Sequence, residues 1–324
     1  MIASFTMVLS GTIVNVAVPD VMGAFGVGQS EVQLMSTAFM IAMTTGQLLN
    51  AWLVAVVGQR WGFLGTLVLF TFGSFVAGAA ESFDMVVLGR VLQGTAAGVI
   101  QPLVMVTIFQ AYPEGKRGTA LGVYVMGLVG AASVGPPLGG IAIELFNWRY
   151  IYYVPLILVG IAAPLGTLFM PNERSDNPPK FDWLGYILIG IALYCLMTGV
   201  SNGPREGWSS DYIVTLLIGG VTALFAFIQS QRRPGASMLD LSLFRNRMFL
   251  MAVIVTCFSA VGNFASVYAV PVAAQIVQNM TPFEAGMALM PSMMLAMLIM
   301  PISGRLSDKI PPHTAIITGF VFLT

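Results

Sequence analysis

The sequence predicts an all-α protein that crosses a membrane many times, and three observations carry the prediction. Hydrophobic residues make up 57% of the 324 residues and charged residues 9%, with a mean hydropathy of +0.85. Soluble domains carry about 25% charged residues, so this composition cannot build a water-facing surface. Apolar runs of about 20 residues, the length a helix needs to cross a bilayer, recur from one end to the other. Finally, the basic residues alternate between two sets of short loops. One set holds Arg60, Lys116, Arg117, Arg174, Lys180, Arg232, Arg233, Arg245, Arg247, Arg305 and Lys309, and the other only Arg149 and Arg205. By the positive-inside rule the first set faces the cytoplasm, together with the N-terminus, in a cytoplasmic (inner) membrane.

Spans are expected near 1–19, 32–57, 63–80, 85–111, 119–143, 150–170, 183–200, 212–230, 248–276 and 285–303, with an eleventh beginning near Thr314. The first apolar run leads into a turn without a cleavage-like site, so no signal peptide is expected. The final stretch, Ala315–Thr324, is half a span, which leads to the expectation of a chain cut within its eleventh span. Formal net charge is zero, giving a nucleic-acid partner no support. Cys195 and Cys257 both lie in apolar spans and read as free thiols. No Ser-His-Asp set, metal cluster or phosphate loop appears, so neither an enzyme nor a cofactor or metal site is expected.

Several stretches stand out in chain order. The first span contains Leu9-Ser-Gly-Thr-Ile-Val-Asn-Val-Ala-Val-Pro19. The turn after the second span carries Gly58 and Arg60, and a related turn after the tenth reads Gly304-Arg-Leu-Ser-Asp-Lys309. Two copies in corresponding loops are what a parallel repeat of two halves leaves in sequence. The fourth span holds Arg90-Val-Leu-Gln-Gly-Thr-Ala-Ala97, with Arg90 about two turns inside. A charge at that depth costs roughly 2.5–3.5 kcal/mol even on a lenient scale, so it marks a functional position or snorkels to the headgroups. In the fifth span Gly127, Ala131, Gly135 and Gly139 fall four apart, a stripe that lets two helices approach closely. Pro136 and Pro137 remove backbone donors there and are expected to bend the helix, with Gly140 beside them.

Together these stretches resemble the fourteen-helix drug:proton antiporters, the EmrB/QacA-type branch of the major facilitator superfamily. Thr12, Asn15 and Pro19 match the family's opening signature, but its aspartate is Ser10 here. Arg90 to Ala97 match the Arg-x-x-Gln-Gly-x-x-Ala motif, and Gly135 to Gly140 the Gly-Pro-x-x-Gly-Gly motif that marks antiporters. Asn147-Trp-Arg-Tyr150, Asp182-Trp-Leu-Gly185 and Gly207-Trp-Ser-Ser210 continue the match, the last two flanking a pair of inserted spans. The resemblance implies a major facilitator fold: an N-terminal six-helix bundle over 1–170, two inserted helices over 171–232, and the first, incomplete part of a C-terminal bundle over 233–324. It implies export of hydrophobic or cationic drug-like compounds by proton antiport and alternating access. The partners implied are a small hydrophobic substrate, protons and the bilayer, with a periplasmic adaptor as a further one.

Within that reading Arg90 is tied to proton transfer, with Asp20 and Glu31 as the nearest acidic candidates, because every carboxylate lies in a loop or at a span end. Asn15, Gln93, Gln101, Phe264 and Tyr268 are candidates for the substrate cavity, each with helix packing as the competing role. Gly127, Ala131, Gly135, Pro136, Gly139 and Gly140 form the expected hinge. The turn residues Gly58, Arg60, Gly304, Arg305, Asp308 and Lys309 form the expected cytoplasmic contact between bundles, with much of the charge missing at the first copy. Two alternatives stand beside export: import or uniport of a small metabolite, and an inactive truncated membrane paralogue.

Overall fold

In the computed structural model, residues 1–310 are described apart from 173, 175–177, 179, 234–237 and 278–281. Ten long helices account for nearly all of them: α1 Ile2–Phe25, α2 Gln29–Val57, α3 Gln59–Gly78, α4 Phe83–Ala111, α5 Glu114–Leu145, α6 Trp148–Phe169, α7 Trp183–Glu206 and α8 Asp211–Ser230, then α9 Arg247–Val277 and α10 Pro282–Ser307. The first eight are long and apolar enough to cross a bilayer. Helices lie at the first ten expected spans, with ends displaced by several residues. The expected eleventh span, from Thr314, lies outside the described residues.

Side chains set the helix boundaries. Ser82, Asn147, Asp182 and Ser210 each accept a backbone N–H at the start of the helical segment that follows, satisfying donors that would otherwise be orphaned at a helix start. Between α2 and α3 the chain turns on Gly58 at φ 85°, ψ 164°, a region open essentially to glycine alone. In α1 the helix tightens into a 3-10 turn over Val14–Ala17 ahead of Pro19. The prolines of the fifth span do not interrupt α5, which runs as one helix of 32 residues.

α1 to α6 pack as one bundle that is apolar outside as well as inside. Large apolar side chains such as Ile157, Leu168 and Phe169 point outward, as a lipid-facing surface requires. The interior is in three layers. One apolar cluster gathers Met7, Phe63, Phe70, Leu103 and Tyr124, and the other Ile13, Val21, Val86, Ile151 and Tyr152. Between them lies a polar layer of Ser10, Ser74, Arg90 and Gln93, all 0–1% exposed.

The inserted helices α7 and α8 pair through small residues: Gly199 faces Leu217, and Gly220 faces Leu196. A hydrogen bond of 2.6 Å from Gln231 Nε2 to Asp182 Oδ2 ties the end of α8 to the start of α7. α7 then leans on α2. α9 and α10 pack on each other, and α10 lies along α5.

Candidate functional site

Arg90 is the centre of the polar layer. Its Nε donates to the Met35 carbonyl at 3.2 Å, and Nη1 donates to the Ser10 carbonyl at 3.2 Å and to Gln93 Oε1 at 3.0 Å. Gln93 passes the contact on, its Nε2 donating to Ser74 Oγ at 2.8 Å. The guanidinium carbon lies 4.1 Å from the centre of the Phe39 ring, a cation–π distance that strengthens when the cation is desolvated. Backbone and side chains of α1, α2 and α4 thereby converge on one cation, and α3 joins them through Gln93. Nη2 is sealed from solvent and has no hydrogen-bond partner.

This arrangement corrects two readings. Arg90 does not snorkel; it is 0% exposed in the middle of the bundle. Gln93 does not face a cavity, since it is also 0% exposed and spends its amide on Arg90 and Ser74. Asp20 and Glu31 are exposed, and the carboxylate of Glu31 accepts from the Gly28 amide at 3.0 Å, so neither is among Arg90's hydrogen-bond partners. The position where the family pattern places an aspartate, Ser10, is the one that meets Arg90. Its hydroxyl lies 3.5 Å from Nη1, so the arginine's partners among the described residues are neutral. Asn15 is exposed and Gln101 half-buried; the side chains of Phe264 and Tyr268 lie outside the described residues.

The second element of the site is α5, which uses glycine on both flanks. On one flank a Cβ at Gly139 would lie 2.9 Å from the Ile13 carbonyl oxygen, and one at Gly135 would collide with the Thr12 hydroxyl, so this half fits against α1 only without side chains. Ala131 is fully buried on this half of α5. On the other flank a Cβ at Gly122 would lie 2.5 Å from the Met300 carbonyl oxygen, and Gly118 and Gly304 face each other directly. Gly127 and Gly140, both expected in the hinge, meet nothing within 4 Å. Pro136 and Pro137 are exposed. The packing stripe is therefore Ala131, Gly135 and Gly139, and a second seam, through Gly118 and Gly122, joins α5 to α10.

Asp308 closes that second seam. Its carboxylate accepts from the Gly118 amide at 2.7 Å, the Thr119 amide at 2.8 Å and the Thr119 hydroxyl at 2.7 Å. These bonds, the hydroxyl's first, hold the carboxyl below the usual carboxylate range, because they favour its charged form. The first-copy turn behaves differently. Arg60 Nε donates to the Met170 carbonyl at 2.9 Å, tying α3 to the end of α6 within one bundle. Gln59 Nε2 donates to Gln110 Oε1 at 2.8 Å, again inside the same bundle. Sequence reasoning missed Gly118 and Thr119; the available signal was a glycine in the early turns of α5, on the same side as the loop bearing Asp308. Among the described residues no group of three or more His, Cys, Asp and Glu could hold a metal ion.

The family profile described as Major Facilitator Superfamily matches residues 1–324. The chain belongs to that superfamily. It is 31% identical over 317 residues to the uncharacterized MFS-type transporter YhcA of Bacillus subtilis, covering 98% of this chain and 60% of that protein. It is 29% identical over 326 residues to the lincomycin resistance protein LmrB of the same organism, covering 100% of this chain and 68% of LmrB. Its fold is similar to that of the proton:xylose symporter XylE, with a TM-score of 0.63 at 13% identity, over 95% of this chain and 68% of that one. The chain thus spans about three fifths to two thirds of the length of these proteins. The fold is the major facilitator fold, with a six-helix N-terminal bundle, two inserted helices and helices of a second bundle.

Proposed function

We propose that this superfamily member exports hydrophobic or cationic drug-like compounds by alternating access, with its N-terminus in the cytoplasm. The observation that carries the reading is α5, seamed by glycine to α1 on one flank and to α10 on the other. One helix with small-residue contacts to both bundles can slide or rock where bulky packing would lock. The Asp308 contact then pins α10 to α5 at the end that bears Lys116, Arg117, Arg305 and Lys309, so we assign the structure to a state closed at the cytoplasmic end. Residues 1–170, 171–232 and 233–324 serve as first bundle, inserted pair and start of the second bundle. The direction rests on the resemblance of Gly135 to Gly140 to the antiporter motif, and the compound class draws support from the drug-resistance name of LmrB.

Proton antiport is the coupling we propose, on the resemblance at Arg90. One observation favours a second reading, a carrier without proton coupling: Arg90's hydrogen-bond partners among the described residues are neutral, and none of them changes charge near neutral pH. The two are separated by one experiment on cells lacking their own exporters. Expression of the full-length protein lowers accumulation of a lipophilic cationic dye, and Arg90→Ala abolishes this. A protonophore restores accumulation if protons drive export. Export that survives the protonophore leaves the uncoupled carrier, and an active Arg90→Ala variant removes the role given to Arg90.

A further inference from the structure

A groove of about 580 Å³ opens between α7, the first inserted helix, and the faces of α2 and α4. Its walls are largely aliphatic, with Ile41, Val91, Ile187 and Ile191 among them. Val91, Ile187 and Ile191 are more than a third exposed, so the groove opens sideways, toward the bilayer. Towards the C-terminal end of α7 it runs into a small polar pocket bounded by Ser30, Gln33, Ser201 and Asn202; Leu34, Thr37 and Thr198 line both spaces. At that end Arg205 Nη1 donates to Ser30 Oγ at 3.1 Å.

Thr198 supplies the independent sign of a ligand. It is 4% exposed, and its hydroxyl oxygen is sealed from solvent with no hydrogen-bond partner. Two other threonines in the groove satisfy themselves: Thr45 and Thr95 return their hydroxyls to the carbonyls of Ile41 and Val91, each at 2.9 Å. An unpaired buried hydroxyl is costly and is rarely kept without a partner. Thr198 lines both the aliphatic groove and the polar pocket, with its unpaired hydroxyl just beneath their surface. Aliphatic wall, lone hydroxyl and polar, cationic mouth thus follow one another along the groove.

We propose that this groove is a phospholipid-binding site of the inserted helix pair. The acyl chain lies along the aliphatic wall, the Thr198 hydroxyl turns outward about its Cα–Cβ bond to donate to a glycerol-ester carbonyl, and the phosphate meets Arg205 beside the hydroxyls of Ser30 and Ser201. The volume falls in the range of about 300–1,000 Å³ typical of built ligand sites, and the Arg205 guanidinium at its mouth can make charge-assisted hydrogen bonds to a phosphate. Exposed Glu31 and Glu206 adjoin Ser30 and Arg205 in the chain, so a zwitterionic phospholipid, phosphatidylethanolamine, is the probe rather than an anionic one. Gly190 leaves the middle of the groove open: a Cβ there would only graze Thr45 at 3.9 Å, and a larger side chain would fill it.

The test uses the full chain, purified and stripped of lipid in detergent. Thermal unfolding is followed with phosphatidylethanolamine, or with diacylglycerol of the same chains, added back. Phosphatidylethanolamine is expected to raise the midpoint more than diacylglycerol does. Gly190→Leu and the near-isosteric Thr198→Val are expected to lose the shift, and Arg205→Gln to reduce it to the diacylglycerol level. Native mass spectrometry of the folded proteins gives a second readout: bound phospholipid in the unmodified chain and less in Gly190→Leu. Equal shifts and equal bound lipid in the unmodified chain and Gly190→Leu overturn the site. Equal shifts with the two lipids overturn the headgroup assignment. Displacement of the bound lipid by a lipophilic cationic dye makes the groove a substrate vestibule and overturns the lipid as its occupant. None of these readouts depends on transport.

Discussion

Replacing Gly122 with alanine tests whether the α5–α10 seam belongs to one transport state. The added Cβ would sit 2.5 Å from the Met300 carbonyl oxygen and 3.1 Å from Pro301 Cα, whereas ordinary contact begins at 3.4 Å. Relief requires the two backbones to part by about 0.9 Å, and both partners are backbone atoms, which cannot rotate aside. Overpacking of this kind costs about 1–3 kcal/mol. The cost falls only on the state in which the helices are joined, so it moves the equilibrium toward the separated state about 5- to 150-fold. Spin labels placed at Lys116 and Lys309, in a background with Cys195 and Cys257 replaced, report the distance between the two ends. The short-distance population is expected to fall in Gly122→Ala and to stay unchanged in Gly127→Ala, whose Cβ meets nothing within 4 Å. A short-distance population that survives Gly122→Ala, or falls equally in Gly127→Ala, refutes a state-dependent seam.

Three further outcomes follow from the same geometry. The Asp308 carboxyl is held below its ordinary value, so its contribution to the closed end is fully present above the usual carboxylate range and is lost as pH falls through the lowered value. The spin-label distance is therefore expected to stay short from neutral pH down to about pH 4 and to lengthen only in stronger acid, with Asp308→Asn abolishing that acid response. Arg90→Lys keeps the charge but not the fork that bridges Met35, Ser10 and Gln93; dye export is expected to fall as far as in Arg90→Ala, and full activity in the lysine variant would contradict the bridging role. Gly58→Ala forces an alanine into φ 85°, ψ 164° at a cost of about 1–3 kcal/mol, read as a lowered thermal midpoint.

How much of this was visible in the residues themselves varies from helix to helix. The spans were legible because bilayer length and apolar composition leave little choice; the caps at Ser82, Asn147, Asp182 and Ser210 that fix the helix starts came only with the structure. The depth of Arg90 was legible, but its partners were not. Two of its three hydrogen-bonding partners contribute backbone carbonyls, from Ser10 and Met35, and a carbonyl carries no signature in a sequence. The α5 stripe showed a limit of another kind. Spacing of four identified residues on one drifting line but not where a neighbouring helix begins and ends, so Gly127 was grouped with Gly135 although only Gly135 meets α1. The Asp308 latch required knowing that α10 returns to the start of α5, a contact between residues nearly 190 positions apart. The groove beside α7 was invisible for the same reason: Thr198 reads as an unremarkable polar residue until its missing hydrogen bond is seen.

The order in which the chain is made gives the Arg90 layer one more consequence. Ser10, Met35, Phe39 and Ser74 all precede Arg90 in the chain, on α1, α2 and α3, which leave the ribosome before α4. When the arginine enters the membrane, the groups that will receive it are already within the bilayer. The penalty of roughly 2.5–3.5 kcal/mol for a central arginine can then be relieved as soon as α4 docks, without waiting for the rest of the protein. Tyr152 arrives afterwards, on the helical stretch leading into α6, fully buried and close enough to Arg90 to interact electrostatically with a charge already held in place. A chain with the same arginine on its first helix would have to carry it unshielded through three further insertions.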